Sequence, residues 1–199
     1  MEKSYVLRGV RQGLSFFSPC DQIIVADQMR DHALDMSLIL GVAARCPWGA
    51  PQVLTCKPLN HGRPFPTTYW LTCPYLTYLC GCYESSGGVH QLEDYLRAAP
   101  AAYRRYNTAY ALRRISLLSE AERRFLRAYR PKIWEILRST GVGGIRQRGH
   151  LAVKCLHLQT AAALALPGSP AEPWLVKRLK KCHCDDARCI KDTIIQRKS

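Results

Sequence analysis

Ten cysteines in a chain of 199 residues constrain this fold more than any other feature, because nothing at its start directs them to an oxidising compartment. Met1 to Cys20 is interrupted by Arg8 and Arg11 and holds no unbroken apolar run, so the sequence predicts a cytoplasmic setting in which thiols stay reduced. Thiols kept reduced are retained for metal or redox chemistry. The fold itself then rests on its core, for which 47% apolar residues suffice. The longest apolar stretches, around Leu38 to Ala44 and Ala161 to Leu166, are far too short to span a bilayer.

The formal net charge of +14 predicts an anionic partner, whether nucleic acid, a phosphorylated ligand or a membrane surface. Positive charge gathers in the second half, at Arg104, Arg105, Arg113, Arg114, Arg123, Arg124, Arg127 and Arg130, then at Lys177, Arg178, Lys180 and Lys181. No nucleic-acid motif accompanies it, which leaves a solvated helical surface as the alternative.

Pattern divides the chain into an N-terminal helical segment (1–40), a core domain (41–167) and a basic, cysteine-rich tail (168–199). Apolar positions Ile24, Val25, Met29, Leu34, Met36 and Leu40 predict helix from Asp21 to Ala44. Gln52 to Lys57 and Thr67 to Cys73 read as two antiparallel strands joined by a loop rich in Pro and Gly. Pro74 opens a helix that Gly87-Gly88 stops, placing Cys73 at its N-cap. Helix is expected from Gln91 to Leu118. A further one runs from a capping box at Ser119 and Glu122 to Gly141 with a kink at Pro131, and a last spans His150 to Leu166. This order predicts an α+β fold, a small antiparallel hairpin or sheet packed on a mainly α-helical domain.

Antiparallel pairing brings Cys46 and Cys73 together, while Cys56 falls at the other end of the ladder as a packed residue. Cys73 also feels the positive end of a helix dipole, which favours its thiolate. On the last predicted helix Cys155 lies on the inward stripe with Leu151, Leu158 and Ala162. His157 lies roughly 200° away around an ideal helix, so the two are not expected to share an ion. Cys182, Cys184 and Cys189 form a second ligand set, completed by His183, Cys80 or Cys82, although their spacing is not that of a zinc ribbon. Gly141-Val-Gly-Gly144, followed by Arg146 and Arg148, has the composition of a phosphate cradle without being a Walker loop; a helix C-cap and linker is the other reading.

Three segments, Arg45-Cys-Pro-Trp-Gly-Ala-Pro-Gln-Val53, Pro64-Phe-Pro-Thr-Thr-Tyr-Trp-Leu-Thr-Cys-Pro74 and Lys154-Cys-Leu-His157, resemble the signature of the bacterial domain-of-unknown-function family 501. Gly141-Val-Gly-Gly-Ile145 strengthens the likeness, which runs from about Gly41 to Leu166. The resemblance implies a small cytoplasmic bacterial protein and no particular reaction. Some members are similar in having a second cysteine where Trp48 stands here.

The leading expectation is a metal-binding or cluster-binding protein in which Cys46, Cys73 and Cys155 converge on zinc or an iron–sulfur cluster. A second reading is an anion-binding module at Arg146, Arg148, Lys154 and His157 for phosphate or nucleic acid. The third is a thiol enzyme with Cys73 as nucleophile and His157 as base.

Overall fold

The computed structural model describes residues 14–30, 34–146 and 151–191. In chain order the elements are α1 (Pro19–Gln28), β1 (Ile39–Arg45), β2 (Pro51–Cys56), β3 (Leu59–Asn60), β4 (Arg63–Pro64), β5 (Tyr69–Leu71), α2 (Pro74–Ser85), α3 (Gly88–Arg97), α4 (Pro100–Ser116), α5 (Glu120–Tyr129), α6 (Pro131–Ser139), α7 (Leu156–Ala165) and α8 (Glu172–Leu179). The protein is α+β: an antiparallel sheet of order β1-β2-β5, with β3 and β4 as a hairpin in one connection, packs against helices.

The sheet is centred on β2, whose residues are all buried. Val53 joins the main core beneath the helices, whereas Leu54 joins Val25, Met29 and Val42 on the face covered by α1. The expected pairing of the two strands is present, with Val53 opposite Leu71 and Thr55 opposite Tyr69. The edge strand β1 departs from the helix expected through Ala44. That run is apolar without interruption and shows no period, and β2 supplies the ladder that makes it a strand, Val42 facing Leu54.

Prolines set the helix starts: Pro19, Pro74, Pro100 and Pro131 each stand in a first turn, where the missing N–H costs nothing. Pro100 therefore splits the single helix expected from Gln91 to Leu118 into α3 and α4, and Pro131 separates α5 from α6. Ser119 and Glu122 form the expected capping box at α5. At the centre lies α7, apolar nearly all round and buried from Leu156 through Leu164 apart from His157 and Leu158; it packs on β5 and α2. No helix of the described residues is long and apolar enough to cross a membrane.

Candidate functional site

The start of α7 differs from the sequence expectation in the way that matters most. Its first residue is Leu156, and Cys155 is the N-cap, with φ −163° and ψ 162°. Residues 151–155 are not helical, because two glutamates from neighbouring helices take up the free backbone donors. Glu93 of α3 accepts the Val153 N–H at 2.8 Å, and Glu84 of α2 accepts the Leu156 N–H at 2.5 Å. The 200° separation of an ideal helix therefore does not apply, and Cys155 and His157 meet.

Ligand atoms of Glu84, Cys155 and His157 lie within 4.8 Å of one another; among the described residues no other three His, Cys, Asp or Glu ligand atoms are so close. His157 Nδ1 is 2.9 Å from Glu84 Oε1, and its Nε2 is 3.1 Å from the Thr77 carbonyl oxygen. The side chains of His157 and Glu84 are 30% and 25% exposed. The Cys155 side chain first, and then Glu84, raise the His157 pKa to about 9 against the opposing effect of burial. Cys155 and His157 open on a cavity of about 630 Å³ whose wall includes Met29, Trp70, Thr77, Tyr78, Lys154 and Leu158.

Cys46, Cys73 and Cys155 do not share one site. The turn at Cys46, closed by Gly49 N–H to Cys46 O at 2.9 Å with Gly49 at φ +87°, sets Cys46 beside the end of β5. There Cys46 and Cys73 line a second cavity of about 10 Å³ with Cys184 and Cys189 from the tail, while Cys155 lies with Glu84 and His157. Cys182 is adjacent, its carbonyl accepting from Gln52 Nε2. All ten cysteines lie within the described residues and none forms a disulfide. Cys73 does cap α2, but it is buried, and desolvation pushes its thiol up to about 11, outweighing the N–H groups of Leu76 and Tyr75. It is not an activated nucleophile, and His157 pairs with Cys155 instead. Burial likewise lifts Cys56 and Cys80 to about 12. Cys82 is exposed.

The glycine loop is a packing device rather than a phosphate cradle. The N–H groups of Gly141 and Gly144 bond within the loop, and that of Val142 donates to Asn107 Oδ1 at 2.9 Å, so these donors are spent. The start of α7 lies further on, at Leu156. Arg146 is exposed and does not line the large cavity, whereas Lys154 and His157 do; Arg148 lies outside the described residues.

Glu84 was invisible to sequence reasoning, because 72 residues separate it from Leu156 and no motif links them. The one signal available was the Lys-Cys-Leu-His segment itself. A family model described as protein of unknown function, DUF501, matches residues 42–173. That span contains Cys46, Cys73, Glu84, Cys155 and His157 and stops short of Cys182, Cys184 and Cys189. No curated protein and no solved structure matches the chain.

Proposed function

Since the chain belongs to the DUF501 family, whose description assigns no function, its chemistry has to be argued from the site, and we propose that Glu84, Cys155 and His157 bind a divalent metal ion of the zinc class. The observation that carries this reading is the double engagement of His157. Both ring nitrogens face acceptors, Thr77 O and Glu84 Oε1, yet a neutral imidazole has one N–H. A cation therefore belongs between Nδ1 and Oε1, either a proton or a metal ion. Nε2–H donating to a backbone carbonyl is the outer contact that orients a ligating histidine.

One thiolate, one imidazole and one carboxylate suit zinc better than an iron–sulfur cluster, which is held by several thiolates. Three protein ligands would leave one coordination position open, and Cys155 and His157 line the large cavity. Lys154 on the wall favours an anionic group in whatever occupies that space, and Trp70, Tyr78 and Leu158 favour an apolar body beside it. In chelator-treated protein, zinc affinity should fall at least about tenfold in Glu84→Gln, Cys155→Ser and His157→Ala. Unchanged zinc uptake in all three overturns the reading.

A second reading has its own support. Cys155 sits beside His157 at the start of α7, and both open on the large cavity, which sets a nucleophile next to an acid–base partner. The apo protein would then alkylate at Cys155 near neutral pH faster than an ordinary thiol, and His157→Gln would slow it. Protection of Cys155 by zinc would join the two readings in one site.

A further inference from the structure

The geometry points to a second and closed metal site, built by Cys46, Cys73, Cys184 and Cys189, that takes a single thiophilic ion of the zinc class and fastens the tail to the sheet. It is independent of the Glu84 site. The four cysteines come from the turn before β2, the end of β5 and the segment after α8, and they line one cavity. Its volume of about 10 Å³ is roughly that of one water-sized probe, which suits one ion and not a cluster.

The amides of Gln28 and Gln52 donate to Pro51 O and Cys182 O and reach Cys189 and Cys73, yet not every polar atom around the cavity is satisfied. Among the described residues five buried side-chain N or O atoms have no hydrogen-bond partner. Three of them, Gln28 Oε1, Gln52 Oε1 and His183 Nδ1, belong to residues lining this cavity, and Gln52 is 1% exposed. Native interiors leave few such atoms, and a bound ion or water is the ordinary reason for one.

Backbone N–H groups of Trp48 and Ala50 reach Cys46, and those of Leu76 and Tyr75 reach Cys73, but burial outweighs them and raises both thiols, so it is the bound ion that must draw off their protons. Arg188, which also pairs with Asp186 at 3.0 Å, interacts electrostatically with Cys184 and Cys189 and would offset part of the net −2 of zinc held by four thiolates. Each thiol that binds releases its proton to solvent.

No three of these sulfurs lie within 4.8 Å of one another, whereas bonds of 2.3 Å in a tetrahedron bring sulfurs to about 4 Å. Binding therefore draws in Cys184, on the irregular stretch after α8, and Cys189, in the short helical turn at 188–191 that follows it. Cys46 and Cys73 stay anchored at the sheet. The tail is already seated for this: Trp48 Nε1 donates to Cys184 O at 2.9 Å and the Trp48 ring stacks on His183.

The test is metal content and the cobalt(II) spectrum of full-length, reduced protein. Wild type should hold two zinc ions per chain, and its cobalt form should show the intense charge-transfer bands of several thiolates. Cys184→Ser with Cys189→Ser should remove one ion and most of that absorption, and should speed tryptic cleavage after Lys180 and Lys181. Glu84→Gln with His157→Ala should remove the other ion and leave the bands in place, so failure of either site shows separately. Full zinc content in the tail double variant, or a cobalt form without multi-thiolate bands, overturns the proposal. So does a disulfide among these cysteines whose reduction restores no metal uptake.

Discussion

Arg114 is fully buried, and its guanidinium is satisfied by neutral oxygens at the end of α6. Nη1 donates to Leu137 O at 2.9 Å and Thr140 O at 3.0 Å, Nη2 to Gly141 O at 3.0 Å, and Nε to Thr68 Oγ1 at 3.2 Å. The cation faces the negative end of a helix dipole and spreads its donors as a planar fork that lysine cannot reproduce. Arg114→Lys should cost about 3 kcal/mol, read as a lower denaturant midpoint with unchanged slope. His157 supplies a second test at this scale. Its folded pKa of about 9 lies above the ordinary 6.5, so in the metal-free protein its contribution to stability is complete below about pH 6.5 and is lost as pH rises through about 9. Cys155→Ser and Glu84→Gln should both flatten that decline in thermal melts between pH 6 and pH 10.

The helix α2 and the segment entering α7 form the unit that makes the site: Thr77 and Glu84 on one side, Cys155 and His157 on the other. The strands β2 and β5 and the capping box of α5 were legible in the sequence because both are local patterns, a run of β-branched and aromatic residues in one case and a three-residue spacing in the other. The approach of Cys46 to Cys73 was legible only in part: antiparallel pairing brings the start of β2 to the end of β5, but the turn that folds Cys46 back to that end was not. The extended Cys155 was not. Leu151, Cys155, Leu158 and Ala162 fit a helical stripe, and only two glutamates from other helices hold residues 151–155 out of it. The tail cysteines were legible as a candidate ligand set but not as neighbours of Cys46 and Cys73, because the contacts that bring them there span more than a hundred residues. The loop after α6 gives a prediction of its own. A Cβ at Gly141 would stand 1.8 Å from Asn107 Oδ1, and Asn107 is fixed by its bonds to Val142 N and Tyr103 O. Gly141→Ala should destabilise by about 1–3 kcal/mol, and pairing it with Asn107→Ala should recover part of that loss in a double-mutant cycle.

Across the whole molecule part of the charge of +14 is engaged with the protein itself, at the surface as well as within. Arg123 pairs with Glu120 at 2.7 Å, Arg127 lies 4.6 Å over Trp134, Arg178 lies 4.1 Å over Trp174, and Arg114 is internal. Retention on a polyanion column should therefore fall steeply with salt, and Arg146→Ala should weaken it no more than replacement of any other exposed arginine. The tail carries a different consequence. Trp48 and Gln52 are bonded to Cys184 and Cys182 across sequence separations of 136 and 130 residues, and closing such loops is slow compared with forming local structure. During synthesis the sheet and α2 can assemble long before residue 184 exists, and the corner at Trp48 waits uncovered until then. Docking of the tail should accordingly be a late event of folding. In refolding experiments it should appear as a late phase reported by Trp48 fluorescence and missing from a chain cut after Lys180, and, if the tail site takes zinc as proposed, quickened by it, so that capturing the ion would mark the moment the molecule is finished.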